Sequence, residues 1–412
     1  MLKFDRFTLD NGLRFLVHRD KTTPLLAMNI LYDVGSRDEA PDKTGFAHLF
    51  EHLMFGGSVN IPRYDEPLQK AGGENNAFTN SDITNYYLTL PSANAETAFW
   101  LESDRMNGLA FSEKSLETQR QVVVEEFRQN YLNQPYGDMW MLLRSLAYKV
   151  HPYQWITIGK DPAHIEQATM KDVKDFYNKH YHPGNAIVCV AGSLKLGEVQ
   201  KLADKWFGTI PSGKRIQRQL PAEPRQLQAG FLKVERAVPN ARLLLAFHMC
   251  AKGDADYYVF DLISDLLGSG HSSRLYQSLV IRKKLFSDIN AFITGDHDPG
   301  LLVISGSLNH GVSHDEANEA VWKEIEVLRK STTSKRDLMK VKNKTLANLA
   351  YDNISLLNRA MSLTFAEHLG DASLVNHLPA LYARISQDDI LRVAHDSLTN
   401  TNSNTIYYCT AK

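Results

Sequence analysis

Two homologous α+β halves, each a mostly antiparallel sheet packed with helices, are the architecture this sequence predicts, and three observations carry it. Strand-like apolar runs come first, several helical stretches follow, and one further strand closes the group, an order that favours α+β over a strictly alternating α/β fold. After a segment rich in Pro, Gln and Arg, a similar order begins again. Finally, sliding the chain on itself by 213 residues sets His48–Leu53 (HLFEHL) against Asp261–Leu266 (DLISDL), so that the apolar positions agree and the polar ones differ.

In chain order, FTLDNGLRFLVH holds two apolar runs around Asp10-Asn11-Gly12, a hairpin signature, and PLLAMNILYDVG supplies a third strand. Thr44 to Phe55 reads as a helix because Phe46, Leu49, Phe50, Leu53 and Met54 recur at helical spacing until Gly56-Gly57 stops it. Helical stretches follow around 94–106, 113–132, 137–148 and 171–180, then the strand AIVCVAG, and the first half (1–210) closes near Ile210. Pro211 to Gly230 has three prolines, two glycines and no apolar period, which reads as a linker (211–230). The second half (231–412) repeats the plan: strand ARLLLAFHMC, helix DYYVFDLISDLLGSG, a helix near SSRLYQSLVIRKK, strands INAFIT and GLLVISGSL, and helices between His314 and Ser397.

Composition narrows the function classes. With 46 Lys plus Arg against 47 Asp plus Glu, the net charge is -1, so no bulk field favours nucleic acid or an anionic membrane. No apolar run spans a bilayer, and the charged N-terminus MLKFDRFTLDNGLRFLVHRD lacks the apolar stretch of an export signal. A cytoplasmic location is the expectation, or a periplasmic one if a signal has been trimmed. Cys189, Cys250 and Cys409 are far apart and sit in strand-like runs, which argues for core residues rather than a thiolate metal site or a disulfide scaffold.

The informative segment is His48-Leu49-Phe50-Glu51-His52. On a helix, His48 and His52 stand one turn apart on one face and reach a single ion together, while Glu51 lies beside them, able to hold a water and take its proton. The spacing is the zinc-protease HExxH read in reverse, H-x-x-E-H. The bland alternative, two buried histidines and a carboxylate on an apolar helix face, is costly without a shared cation. A catalytic zinc takes three protein ligands, so a third is needed. Glu126 is favoured because it shares a face with Gln119, Val122 and Val123, whereas Glu125 points about 100° away. The site so assembled is that of a metallopeptidase. His180 and His182 flank a strand and read as structural, His297 with Asp298 reads as a turn, and His310 and His314 could approach each other but have no carboxylate pattern for a second metal.

The residues also resemble the pitrilysin family of inverted-motif zinc metallopeptidases, in particular short bacterial members and the catalytic subunit of the mitochondrial processing peptidase. The likeness rests on GFAHLFEHLMFGGS, the pattern GG-x-x-NAFT-x-x-D-x-T-x-Y from Gly72 to Tyr86, QRQVVVEE ending at Glu126, HPY at His151, YHPGNAIVCVAG, and GSGHSSRL. The resemblance implies zinc held by His48, His52 and Glu126, Glu51 as general base, and an enclosed chamber built with further halves. It also implies substrate added as a β-strand on Asn76, Ala77, Phe78 and Thr79.

Two departures stand out. Gln119 occupies a position where family members usually place a second supporting glutamate. In the second half, the Arg and Tyr that active members direct at substrate correspond to Val280 and Ser287. The expected function is therefore a zinc-dependent endopeptidase whose partner is a homologous subunit supplying the Arg/Tyr pair, or else a homodimer with another stabilising group. The alternative function is a non-catalytic, peptide-binding or scaffold subunit of the same fold.

Overall fold

The computed structural model describes residues 1–411. Strands β1 (Asp5–Thr8) and β2 (Arg14–Arg19) form the expected hairpin, turning through Gly12 at φ 90°. With β3 (Leu25–Tyr32), β4 (Glu74–Thr79), β5 (Thr84–Pro91) and β6 (Ala186–Gly192) they make a six-stranded sheet in the order β1-β2-β6-β3-β5-β4. The second sheet has five strands: β7 (Gly230–Arg236), β8 (Arg242–His248), β9 (Phe286–Ile293), β10 (Leu301–Leu308) and β11 (Ser403–Thr410), in the order β7-β11-β8-β10-β9.

Pairing direction demonstrates the internal repeat. The run β2-β6-β3-β5-β4 begins with a parallel pair and continues antiparallel, and so does β7-β11-β8-β10-β9. In both copies the third strand of that run leads into an apolar helix, α1 (Phe46–Leu53) after β3 and α4 (Tyr257–Gly268) after β8. The sheets are thus mostly antiparallel, and only β1 lacks a counterpart.

Further helices include α2 (Glu113–Phe127), α3 (Met139–Ala147), α5 (Lys335–Asp352) and α6 (Leu356–His368). The compact units do not follow the contiguous halves 1–210 and 231–412. One unit comprises 1–129, 155–220 and 350–377, and the other 130–154, 221–349 and 378–412. The physical reason is a reciprocal exchange. A sheet buried on one face by its own helices still has a second apolar face to cover. In the first sheet that face (Leu16, Ala27, Leu31, Ile187, Cys189, Ala191) packs on Ala360 and Leu363 of α6, which comes from the second half of the sequence. In the second sheet the face made by Leu244, Ala246, Leu301, Val303, Ile406 and Tyr408 packs on Leu143 and Ala147 of α3, which comes from the first.

Ion pairs fix α6 in place: Arg359 to Asp20 at 2.8 Å, Glu367 to Arg6 at 2.6 Å, and His368 to Asp33 at 2.7 Å. Burial works against the Asp33 carboxylate, yet His368 and Arg218 hold it well below the usual carboxylate range. Arg218 belongs to the expected linker, so that segment is anchored to the first unit rather than loose, with its Nε 2.6 Å from Asp38 Oδ1.

Each large buried side chain in these faces is worth about 1.5–3 kcal/mol, so uncovering a whole face exceeds the margin of a typical domain. A polypeptide of residues 1–210 expressed alone is therefore expected to aggregate or bind a hydrophobic dye, and to be rescued by co-expression with 211–412. A soluble, cooperatively unfolding 1–210 monomer would contradict the exchange as a stability requirement.

Candidate metal centre

α1 begins after Gly45, which adopts φ 91°. A Cβ there would lie 2.5 Å from the Ile158 carbonyl oxygen, so the position is closed to other residues on both conformational and steric grounds. Phe46, Ala47, Leu49, Phe50 and Leu53 form the buried face. Phe50 stacks on Phe176 and Tyr181, with ring centroids 5.0 and 5.2 Å away. That packing turns the remaining side of the helix outward, and His48, Glu51 and His52 occupy it with side chains 16, 18 and 25% exposed. The three groups are shielded yet reachable, as a substrate-accepting site requires.

α2 packs against α1 and buries Leu116, Val123, Val124 and Phe127, and its start is capped by Ser112, whose hydroxyl accepts the Ser115 N–H. Glu126 stands at the edge of this packed face and reaches α1. His48 Nε2 lies 3.2 Å from Glu126 Oε2, His52 Nε2 lies 3.5 Å from the same oxygen, and the two imidazole nitrogens are 3.3 Å apart. Glu125 turns away, is exposed and accepts from Gln129 at 2.9 Å. Val122 departs from expectation. It is 45% exposed while Val123 and Val124 are buried, because one residue along a helix is a 100° turn and the covered side of α2 lies beyond Val122.

The three donors fit a zinc ion. Bonds of about 2.0–2.1 Å at tetrahedral angles place ligand atoms about 3.3 Å apart, and the observed edges are 3.2, 3.3 and 3.5 Å. Among the described residues this is the sole group of three or more His, Cys, Asp or Glu whose ligand atoms converge. Hydrogen bonding from His48, then from His52, holds the Glu126 carboxyl well below the usual carboxylate range, so it presents an anion to the same point. Glu51 stays outside the triangle, its Oε2 3.9 Å from His48 Nδ1. Gln119 lies two turns before Glu126 on the same face of α2, half-buried and also outside the triangle.

Asn76, Ala77, Phe78 and Thr79 lie on β4, the edge strand of the first sheet, which pairs with β5 and runs beside α1. Phe78 packs edge-to-face on Phe365 of α6 at 6.2 Å, and the Ala77 N–H donates to Asn76 Oδ1 at 2.8 Å. One buried carboxylate at the start of α1 has no counterpart among the residues singled out in the sequence. Glu39 is buried, and its carboxylate accepts the Gly45 and Ala47 N–H groups at 2.9 Å each. A lone acid in a loop seven residues before a helix carries no distinctive sequence signal.

In the second half, Asp261, Ser264 and Asp265 occupy the α4 positions equivalent to His48, Glu51 and His52. Lys344 of α5 places its ammonium 3.2 Å from Asp265. Tyr382 donates to Asp261 at 2.6 Å. Burial pushes the Asp261 carboxyl up, with Tyr382 opposing. Among the described residues, no metal-type donor set converges there. Val280 packs against the core of this half, and Ser287 is exposed at the start of β9. Neither supplies a cationic or phenolic group.

A duplicated α+β chain with two histidines and a carboxylate converging on one point, and a further acid beside them, defines the class of inverted-motif peptidase folds. The comparisons agree. Residues 14–160 match the family model described as insulinase (peptidase family M16), and residues 167–345 match that described as peptidase M16 inactive domain. The chain is 30% identical to the zinc protease PqqE of Helicobacter pylori over 98% of its own length and 92% of that protein's. It is 25% identical to a probable mitochondrial-processing peptidase subunit beta of Arabidopsis thaliana, covering 94% of this chain and 75% of that one. The crystal structure of a protease from Helicobacter pylori superposes with a TM-score of 0.93 at 28% identity, covering 99% of this chain and 100% of that one. The chain belongs to the M16, or pitrilysin, family of peptidases. No helix among the described residues is long and apolar enough to cross a membrane.

Proposed function

We propose that this chain is a zinc-dependent endopeptidase and the zinc-bearing subunit of a two-chain enzyme. The observation that carries the reading is the donor triangle of His48, His52 and Glu126, with edges of tetrahedral zinc size and Glu51 beside it. His48 Nε2, His52 Nε2 and Glu126 Oε2 would hold the ion. When bound there, zinc supplies Lewis acidity that polarises a peptide carbonyl and acidifies water. Glu51 receives the proton of the attacking water and delivers it to the leaving amine, which a carboxylate outside the ligand set can do without giving up the metal. The edge of β4 presents backbone groups on which an extended peptide adds as a strand, so recognition through the peptide backbone suits a chain of near-zero net charge.

Two observations support a second subunit. Val280 and Ser287 leave the second half without the Arg and Tyr that the resemblance leads one to expect, and a curated relative is itself named as a subunit. The test is to measure zinc content and peptide cleavage for the chain alone and mixed with a homologous subunit carrying the Arg and Tyr. A single zinc per chain, with activity appearing on mixing, is the expected result. Full zinc-dependent activity of the lone chain removes the need for a partner and favours a homodimer. A chain that binds no zinc and stays inactive in every mixture favours the scaffold role instead.

A further inference from the structure

The helix that carries both histidines has no cap of its own. Four N–H groups at a helix start need acceptors, and the residue before the helix ordinarily supplies one from its side chain. In α1 that residue is Gly45, held to glycine by its φ of 91° and by the Ile158 carbonyl. The acceptor is imported from six residues upstream: Glu39 Oε2 takes the Gly45 N–H and Oε1 takes the Ala47 N–H, both at 2.9 Å, in a position only 6% exposed. Burial pushes the Glu39 carboxyl up, and the two backbone bonds oppose that. Ala47 immediately precedes His48, so the bond registers the turn from which His48 projects.

Glu39 is itself anchored at the end of a loop tied to the substrate-side hairpin. Ser36 N–H donates to Asn80 O at 3.1 Å and Arg37 N–H to Ser81 O at 2.9 Å, in the turn that follows β4. Arg37 Nη1 pairs with Asp82 at 2.8 Å, and Trp155 Nε1 donates to Ser36 O at 2.9 Å. A Cβ on Gly35 would lie 2.5 Å from Ser81 O, so loop and turn are in close backbone contact. A continuous set of short bonds therefore runs from the end of β4 through residues 35–39 to the first turn of α1.

We propose that Glu39 is the positioning residue of the metal centre: it sets the location of His48 Nε2 relative to β4 by fixing the first turn of α1. The inference rests on the zinc reading above. Glu39 touches neither ion nor substrate; it acts through the backbone of α1. A carboxylate accepts both N–H groups, whereas an amide accepts with its oxygen alone, so the two substitutions form a graded series.

The experiment measures zinc affinity by competition against a chromophoric chelator for the parent, Glu39→Gln and Glu39→Ala. Peptide kcat and KM are read in parallel with the homologous subunit present, and Leu302→Ala in the second sheet serves as a control for general loss of stability. Glu39→Ala is expected to bind zinc about 10–100-fold more weakly, the range for residues that orient metal ligands. Glu39→Gln should fall between Ala and parent, and kcat should drop with KM kept. Leu302→Ala should lower Tm and leave zinc affinity unchanged. Should Glu39→Ala fail to fold, Glu39→Gln alone still reads the effect. Parent-like zinc affinity in the Glu39 variants overturns the proposal while leaving the zinc reading intact, and so does an equal loss in Leu302→Ala. A parent that binds no zinc in the same titration overturns both.

Discussion

Replacing Glu51 by Gln is expected to lower peptide hydrolysis by about 10²–10⁴-fold in kcat while leaving zinc content at the parent level. The separation of the two effects follows from geometry. Glu51 Oε2 is 3.9 Å from His48 Nδ1, whereas the nitrogen that faces the triangle is Nε2, so the carboxylate sits behind the donors and not among them. Glutamine keeps the size of the side chain and removes its ability to accept a proton. Steady-state kinetics on a fluorogenic peptide with the homologous subunit present, and metal analysis of the same preparation, check both halves of the expectation. Equal cleavage by parent and variant would sink the hydrolase reading, since no other carboxylate flanks the triangle on α1.

The second large effect separates Glu126 from its neighbour. Glu126→Gln is expected to weaken zinc binding by more than about 100-fold, beyond the loss typical of residues that merely orient ligands, and Glu125→Gln to leave it unchanged. Glu126 supplies the one anionic oxygen of the triangle, 3.2 and 3.5 Å from the two imidazoles, which hold it ionised. An amide oxygen there keeps a lone pair and loses the charge that opposes the divalent ion. Glu125 points to solvent and bonds Gln129. Competition titration of both variants decides the assignment. Zinc lost from Glu125→Gln and retained by Glu126→Gln would reverse it and break the geometric account of the centre.

Much of this site is written in short-range pattern. His48, Glu51 and His52 lie within five residues, and a helix of fixed pitch converts that spacing into a shared face without outside help. The choice of Glu126 over Glu125 rested on the same periodicity, though the sequence placed Val122 inside and the structure leaves it 45% exposed. Periodicity gives the direction of a side chain around its own helix. How much of that circumference a neighbouring helix covers depends on where the neighbour lies.

Glu39 marks another limit. Acids in loops are ordinary, and only the collision of a Gly45 Cβ with Ile158 O explains why the cap of α1 had to come from elsewhere. The domain layout shows the largest gap. The repeat was legible because β2-β6-β3-β5-β4 and β7-β11-β8-β10-β9 are built from similar local runs. The exchange of α3 and α6 was not, since an amphipathic helix advertises that it needs an apolar surface but not which of two similar sheets provides it.

By itself, then, the sequence determined the elements, their duplication and the three chemical groups carried on α1, because each depends on contacts within a few residues. The tertiary structure brought Glu126, already favoured by periodicity, against His48 across 78 residues, and it alone decided that Glu39 holds the first turn of α1 and that each sheet is covered by a helix from the other half. Those outcomes depend on which distant surfaces meet, and that is settled by packing two apolar sheets and their helices at once.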